Sequence, residues 1–207
     1  MKLPKRIVIE GKTERMIRLL STYPDKRWTQ RELGSRAKVS IGLVNRMVRW
    51  LMSEGIVVKA SYYQKFYVLD RPKLVSSWAA QRKLPPARSY PLATSPEEVE
   101  ELLRGQEGYL MTLFRAAWHR VPHYRSAGVE IYAKPEVAKA VAGHFPSGSG
   151  ATLIVYPYDS FVTEGAEEID GLNLVSPVQN YVDLVAFGGI GADVARMLAD
   201  KYKLAST

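Results

Sequence analysis

Residues 29–58 combine two helix-start signals with a terminating glycine, and this pattern restricts the fold more than any other part of the chain. Thr29 and Glu32 have the spacing of a capping box, in which each side chain bonds the backbone N–H of the other residue. Ser40 is placed to cap a longer helix, and Gly55 is placed to end it in a left-handed conformation. The spacing therefore predicts two helices joined by a short turn.

The flanking residues extend this pattern into a winged helix. Residues 12–22 carry apolar side chains on one face, which predicts an amphipathic first helix. Residues 56–60 and 66–69 are rich in β-branched and aromatic side chains and are separated by a polar tip, so they predict a β-hairpin. Three helices followed by a hairpin, the wing, make up the predicted domain at residues 1–70.

The distribution of charge separates this half of the chain from the rest. Residues 1–70 hold 15 basic and 6 acidic side chains, residues 71–94 hold five basic and no acidic ones, and residues 95–207 hold nine basic and fifteen acidic ones. A basic half joined to an acidic half is typical of a nucleic-acid-binding domain fused to a domain with another role. The alternative is a charged surface that has no nucleic-acid partner.

The geometry of a winged helix predicts how double-stranded DNA would be contacted. The second helix of the pair enters the major groove, where Asn45 suits adenine and Arg46 suits guanine or a phosphate. Helix starts and further basic side chains hold phosphates, whereas Tyr62 and Tyr63 could contact the DNA or simply pack within the wing. The predicted DNA-binding residues are Gln30, Arg31, Lys38, Ser40, Ile41, Gly42, Asn45, Arg46, Arg49, Tyr62, Tyr63 and Lys65.

Residues 71–94 are rich in proline and in basic side chains, and this composition predicts a linker. Leu74, Val75 and Trp78 are spaced as one face of a short helix at about 73–82. The following Pro85-Pro86 pair is incompatible with a helix. The segment is interpreted as a solvated hinge, with an extension of the DNA footprint as the alternative.

The C-terminal half, residues 95–207, predicts a mixed α/β regulatory domain, so the fold class is α/β (α+β) with two domains. Strands and helices alternate along it, which favours a layered fold. Ser95-Pro96-Glu97-Glu98 and Ser176-Pro177-Val178-Gln179 are helix starts. Strands are predicted at 129–133, 151–156 and 172–175, and helices at 96–104, 109–118, from 135, 177–187 and 192–202.

Candidate catalytic and metal-binding patterns are weak. His119 and His123 have a zinc-like spacing but no third ligand, and Glu130, Lys134 and Asp159 lack the spacing of a nuclease set. The chain has no cysteine, and its apolar runs are shorter than a membrane span. We therefore expect a cytoplasmic protein that is not an enzyme, without a metal, cofactor or membrane partner.

The string LVSPVQNYVDLVAFGGIGADVARMLADKY resembles the C-terminal signature of AbiEi-type antitoxins. The signature is present at Ser176, Pro177, Gln179, Tyr181, Asp183, Leu184, Gly188 and Gly189. The resemblance implies an N-terminal winged helix that represses its own operon and a C-terminal domain that opposes a nucleotidyltransferase-like toxin. We expect the operator to be an inverted repeat, because symmetric sites are usually read by paired proteins. The alternatives are a winged-helix transcription factor whose C-terminal domain senses a ligand or protein partner, and an enzyme.

Overall fold

Two β-sheets, one of three strands and one of six, organise the part of the chain that the structure describes. A computed structural model of the protein describes residues 7–60 and 64–205. Contacts between Cα atoms divide the chain into a first unit, residues 1–82 with 203–207, and a second unit, residues 83–202. Helices and strands occur in both units, which confirms the expected α+β class.

The described residues of the first unit form four helices and an antiparallel sheet. Strand order in the sheet is β1-β3-β2, so β3 lies between the other two strands. The elements are α1 (Gly11–Thr22), β1 (Trp28–Thr29), α2 (Gln30–Ala37), α3 (Ile41–Ser53), β2 (Val57–Lys59), β3 (Lys65–Val68) and α4 (Arg71–Ala79). The three predicted helices and the predicted hairpin are thus confirmed within the described residues.

The apolar stripes of α1 and α3 form the core of the first unit. Met16 and Leu19 on α1 are fully buried, as are Val44 and Leu51 on α3. Trp28 is fully buried just before the start of α2, so its large ring contributes to this core. The side chains that the 3.6-residue period assigned to the interior therefore lie there.

The starts of α2 and α3 are built differently. The Thr29 hydroxyl accepts a hydrogen bond from the Glu32 backbone N–H at 3.1 Å, which is one half of the predicted capping box. The Glu32 carboxylate pairs with Lys26 at 2.7 Å, and this hydrogen bond lowers the pKa of Glu32. Ser40 occupies the N-cap position of α3, but among the described residues its side chain makes no capping hydrogen bond.

The predicted linker is divided between the two units. Asp70 caps α4 by accepting a hydrogen bond from the Lys73 backbone N–H at 2.9 Å. Trp78 is fully buried and donates its indole N–H to Glu14 of α1 at 3.2 Å. Helix α4 is therefore an integral part of the first unit, whereas residues 88–92 belong to the sheet of the second unit. Residues 80–87, between α4 and this strand, have no regular structure.

The second unit is a six-stranded mixed sheet with helices packed on it. Its strand order is β4-β7-β6-β5-β9-β8, in which β6 and β7 are parallel, β5 and β9 are parallel, and the other neighbours are antiparallel. Its elements are β4 (Arg88–Leu92), α5 (Pro96–Leu103), β5 (Tyr109–Met111), α6 (Leu113–Trp118), β6 (Gly128–Ala133), α7 (Pro135–His144), β7 (Ala151–Pro157), a 3-10 helix (Ser160–Thr163), β8 (Glu167–Ile169), β9 (Leu172–Leu174), α8 (Pro177–Phe187) and α9 (Ile190–Tyr202).

One predicted helix of this unit is wrong in its first half. Residues 109–111 form β5, which lies between β6 and β9 in the sheet, and a helix begins only at Leu113. All three residues of β5 are buried. A short apolar run that is buried on both sides has no alternation to distinguish a strand from a helix, so pairing with distant strands decided the outcome.

Helix α8 is anchored to the sheet by a buried carboxylate. The Ser176 hydroxyl caps α8 by accepting from the Gln179 backbone N–H at 3.1 Å. The Gln179 side chain donates to Asp183 at 2.8 Å, and Asp183 also accepts from Thr112 and from the Tyr132 hydroxyl at 2.9 Å each. Asp183, which also accepts from Gln179 within α8, thus joins this helix to β6 and to the residue that follows β5.

The turn between α8 and α9 depends on glycine. Gly188 ends α8 with a φ of +75°, and Gly189 follows with a φ of +52°, both in the left-handed region that favours glycine. A Cβ atom on Gly191 would lie 2.6 Å from the Leu184 carbonyl oxygen. The glycine turn expected after α8 is therefore confirmed, and it brings α9 back against α8.

Candidate nucleic-acid interface

Helix α3 presents one solvent-exposed face that contains most of the residues predicted to contact bases. Ile41 is 56% exposed, Gly42, Arg46 and Arg49 are exposed, and Asn45 is half-buried. Their spacing of three or four residues aligns them along the helix axis. The opposite face holds the buried core residues, so α3 is fixed to the first unit while this face remains open to a partner.

Asn45 and Arg49 are bound to each other on that face. The Arg49 Nε–H donates to the Asn45 side-chain oxygen at 2.7 Å. This bond orients the amide so that its NH2 group is available to donate, while the oxygen keeps a second lone pair. The two residues therefore act as a pair, whereas the sequence assigned one to a base and the other to a phosphate.

A groove runs between the start of α2, the start of α3 and the β2–β3 hairpin. It brings together Gln30, Arg31 and Ile41, which the sequence predicted as DNA contacts. It also includes Lys59 and Gln64, which were not predicted. The described residues that line it are Thr29, Gln30, Arg31, Ile41, Lys59, Ala60 and Gln64. Lys59 could have been found from the sequence, since it is a basic residue that follows three apolar residues in the predicted strand 56–60, close to the polar tip.

The remaining predicted contacts lie in different environments. Lys38 is exposed and ends α2 in the left-handed conformation with a φ of +52°. Ser40 is exposed at the start of α3. Lys65 is half-buried, and its charge contributes, after that of Lys26, to lowering the pKa of Glu32. Tyr62 and Tyr63 lie outside the described residues.

Two candidate catalytic groups of the second unit, Glu130 and His119, contact residues outside the predicted catalytic sets. Glu130 is 3% exposed and accepts hydrogen bonds from the Arg115 backbone N–H and the Ser126 hydroxyl, both at 3.2 Å. Burial raises its pKa to about 7. The His119 Nε2 lies 3.1 Å from Glu100. In residues 7–60 and 64–205, no group of three or more acidic or histidine side chains is arranged to hold a metal ion.

Comparison with known proteins identifies no relative of this chain, so this surface is interpreted from its geometry alone. No protein-family model matches the chain, and neither a curated protein nor a solved structure matches it significantly. Among the helices that the structure describes, none combines the length and the apolar composition needed to cross a bilayer.

Proposed function

We propose that residues 7–82 form a winged helix that binds double-stranded DNA and that the protein is a transcriptional regulator. The observation that carries the proposal is the exposed face of α3, where an asparagine and two arginines project beside a groove lined by further polar and basic side chains. A helix with this face fits the width of the major groove. The positive charge of the first unit supplies attraction to phosphate.

Each element has a distinct role in the proposed complex. Arg46, fully outward on α3, reads guanine, while the Asn45–Arg49 pair presents an oriented amide to adenine. The open start of α3 at Ser40 offers backbone N–H groups to a phosphate. Arg31 and Lys59 line the groove on its two sides, and they bind phosphates of the DNA backbone next to the bases that α3 contacts.

Substitutions on this face should weaken binding in different ways. We expect Arg46→Ala to cost about 1–3 kcal/mol of binding free energy and to relax the preference for one base pair. Arg49→Ala should also relax specificity, because it releases Asn45. The full-length protein would be used to select sites from a random duplex library, and affinities would then be measured by fluorescence anisotropy over a range of salt concentrations.

Arg196→Ala is the matched control, since this arginine is exposed on α9 in the second unit. The affinity of the Arg196→Ala variant for the selected DNA site should equal that of the unchanged protein. For the unchanged protein, log affinity should fall linearly with log salt concentration. The proposal fails if the folded full-length protein binds no duplex at low salt, or if Arg46→Ala and Arg31→Ala leave affinity and specificity unchanged.

The resemblance to AbiEi-type antitoxins extends the proposal to the second unit. We propose that the protein represses its own operon at an inverted repeat and that this unit opposes a nucleotidyltransferase-like toxin. In support, the signature residues Gln179 and Asp183 are buried anchors of α8, whose residues 178–184 are all buried, while α9 exposes Asp193, Arg196 and Asp200. The buried α8 therefore has a structural role, and the exposed face of α9 is free to act.

Exposed substitutions on α9 should separate protection from DNA binding. We expect full-length protein carrying Arg196→Glu and Asp200→Arg to lose growth rescue when it is expressed together with its proposed nucleotidyltransferase-like toxin. DNA affinity should be unchanged, because neither residue lies in the first unit. Full rescue by this variant would contradict a role of the exposed α9 residues in opposing the toxin. Rescue by a full-length Arg46→Ala variant would show that protection does not require repression.

A further inference from the structure

A small cleft opens in the second unit between the first half of α7 and the edge of the sheet. It has a volume of about 280 Å³, close to the lower end of the roughly 300–1,000 Å³ range of small-molecule sites. It lies where β6 and β7 end, at Ala133 and Pro157, which are neighbours in the parallel pair. Ligands of α/β sheets commonly bind beyond the carboxyl ends of parallel strands. The lining residues are Pro86, Arg88, Tyr90, Ala133, Pro135, Ala138, Lys139, Val155, Tyr156 and Pro157.

The walls of the cleft are apolar and stiff. Three prolines line the cleft, and their rings restrict the backbone φ angle of these residues. The prolines therefore lose little conformational entropy when a ligand binds. Two tyrosines add flat aromatic surfaces, and Tyr156 is held against Tyr132 at a ring-centroid distance of 5.5 Å. A preformed apolar site of this size suits one aromatic ring.

The polar groups of the cleft are cationic. Arg88 on β4 and Lys139 on α7 are its charged lining residues, and none of the described residues that line it is acidic. Within the described part of the chain, neither side chain forms an ion pair or a hydrogen bond. Both are exposed at the rim, although residues 95–207 carry an excess of acidic side chains. Pro135 also places the positive end of the α7 dipole beside the cleft.

We propose that this cleft binds a small aromatic carboxylate. The ring would occupy the space between the prolines and the tyrosines, and the carboxylate would lie between the Arg88 guanidinium and the Lys139 ammonium. An arginine can bind a carboxylate through two parallel hydrogen bonds, and a lysine adds a point charge. This site is separate from the α3 surface, and the proposal does not depend on the proposed DNA-binding function.

Isothermal titration of the full-length protein with 3-phenylpropionate tests the proposal. We expect saturable binding of one ligand per chain, and binding about tenfold weaker or more for Arg88→Gln, since a hydrogen bond between charged groups is lost. Lys139→Gln should show a smaller loss in the same direction. The neutral analogue 3-phenylpropanol should bind about as weakly as the acid binds to Arg88→Gln.

The control variant is Arg125→Gln, which removes an exposed arginine of the second unit that does not line the cleft and should bind as the unchanged protein does. Ala138→Leu, which narrows the cleft, should reduce binding of the ring but leave the protein folded by circular dichroism. The proposal is overturned if 3-phenylpropionate does not saturate, or if binding is indifferent to Arg88→Gln and Lys139→Gln together. Equal binding of inorganic phosphate and 3-phenylpropionate would overturn it too, because the cleft would then be a simple anion site.

Discussion

Replacing Asp183 with alanine should destabilise the second unit by about 3–5 kcal/mol, because three buried donors lose their acceptor at once. Asp183 is fully buried and accepts from Thr112, Tyr132 and Gln179 at 2.8–2.9 Å. Each donor left unsatisfied costs about 1–3 kcal/mol, less whatever water and side-chain rearrangement recover. Urea unfolding followed by hydrogen exchange in peptides from each unit would measure the loss and localise it.

Asp193→Ala provides the matched control for this experiment. Asp193 is an exposed acidic residue on α9 whose partner is Arg196 at 3.4 Å. We expect its removal to change stability by no more than about 0.5 kcal/mol. Asp183→Asn should be intermediate, since an amide oxygen still accepts and the hydroxyls can turn. A loss below about 1 kcal/mol for Asp183→Ala would contradict the anchoring role.

The stability of the protein should depend on the charge of Glu130. Burial raises the pKa of this carboxyl from 4.5 to about 7, against the hydrogen bonds from Arg115 and Ser126, which favour the charged form. The folded state therefore holds the Glu130 proton more tightly than the unfolded state. Its contribution is fully present below pH 4.5 and is lost as pH rises through 7, by a total of about 3 kcal/mol.

Urea unfolding of the unchanged protein and of Glu130→Gln at pH 5 and pH 8 would isolate this effect. The variant keeps the shape of the side chain but has no proton to lose. Its free energy of unfolding, compared with that of the unchanged protein at the same pH, should therefore be higher at pH 8 than at pH 5. Glu136→Gln, on the exposed surface of α7, should track the unchanged protein at both pH values. A constant difference between Glu130→Gln and the unchanged protein would show that Glu130 does not titrate in this range.

Elements with strong local signals could be predicted from the sequence. Both α2 and α5 begin at the capping residues that the sequence indicated, Thr29 and Ser95, and α8 begins after Ser176. The apolar face of α3 and the strands β6 and β7 also followed from their periodicity. Caps and periodicity involve residues within a few positions of each other, so the information they need is local.

Some features of the candidate interface could be identified only from the structure. The exposed face of α3 could be drawn from helical geometry, but the bond between Asn45 and Arg49 depends on their rotamers. The groove that adds Lys59 and Gln64 forms because the hairpin lies beside the starts of two helices. Its shape is therefore a property of packing between segments rather than of any one segment.

Contacts between distant residues decided the rest. Residues 109–111 became a strand because β6 and β9 lie on either side of them, and α4 joined the first unit because Trp78 is buried against α1. Asp183 meets Thr112 and Tyr132 across 71 and 51 residues of chain. The sequence by itself determined where helices begin and which faces are apolar, since these depend on neighbouring residues. Only the tertiary structure decided which buried polar groups meet, because each such contact requires the whole sheet to be assembled.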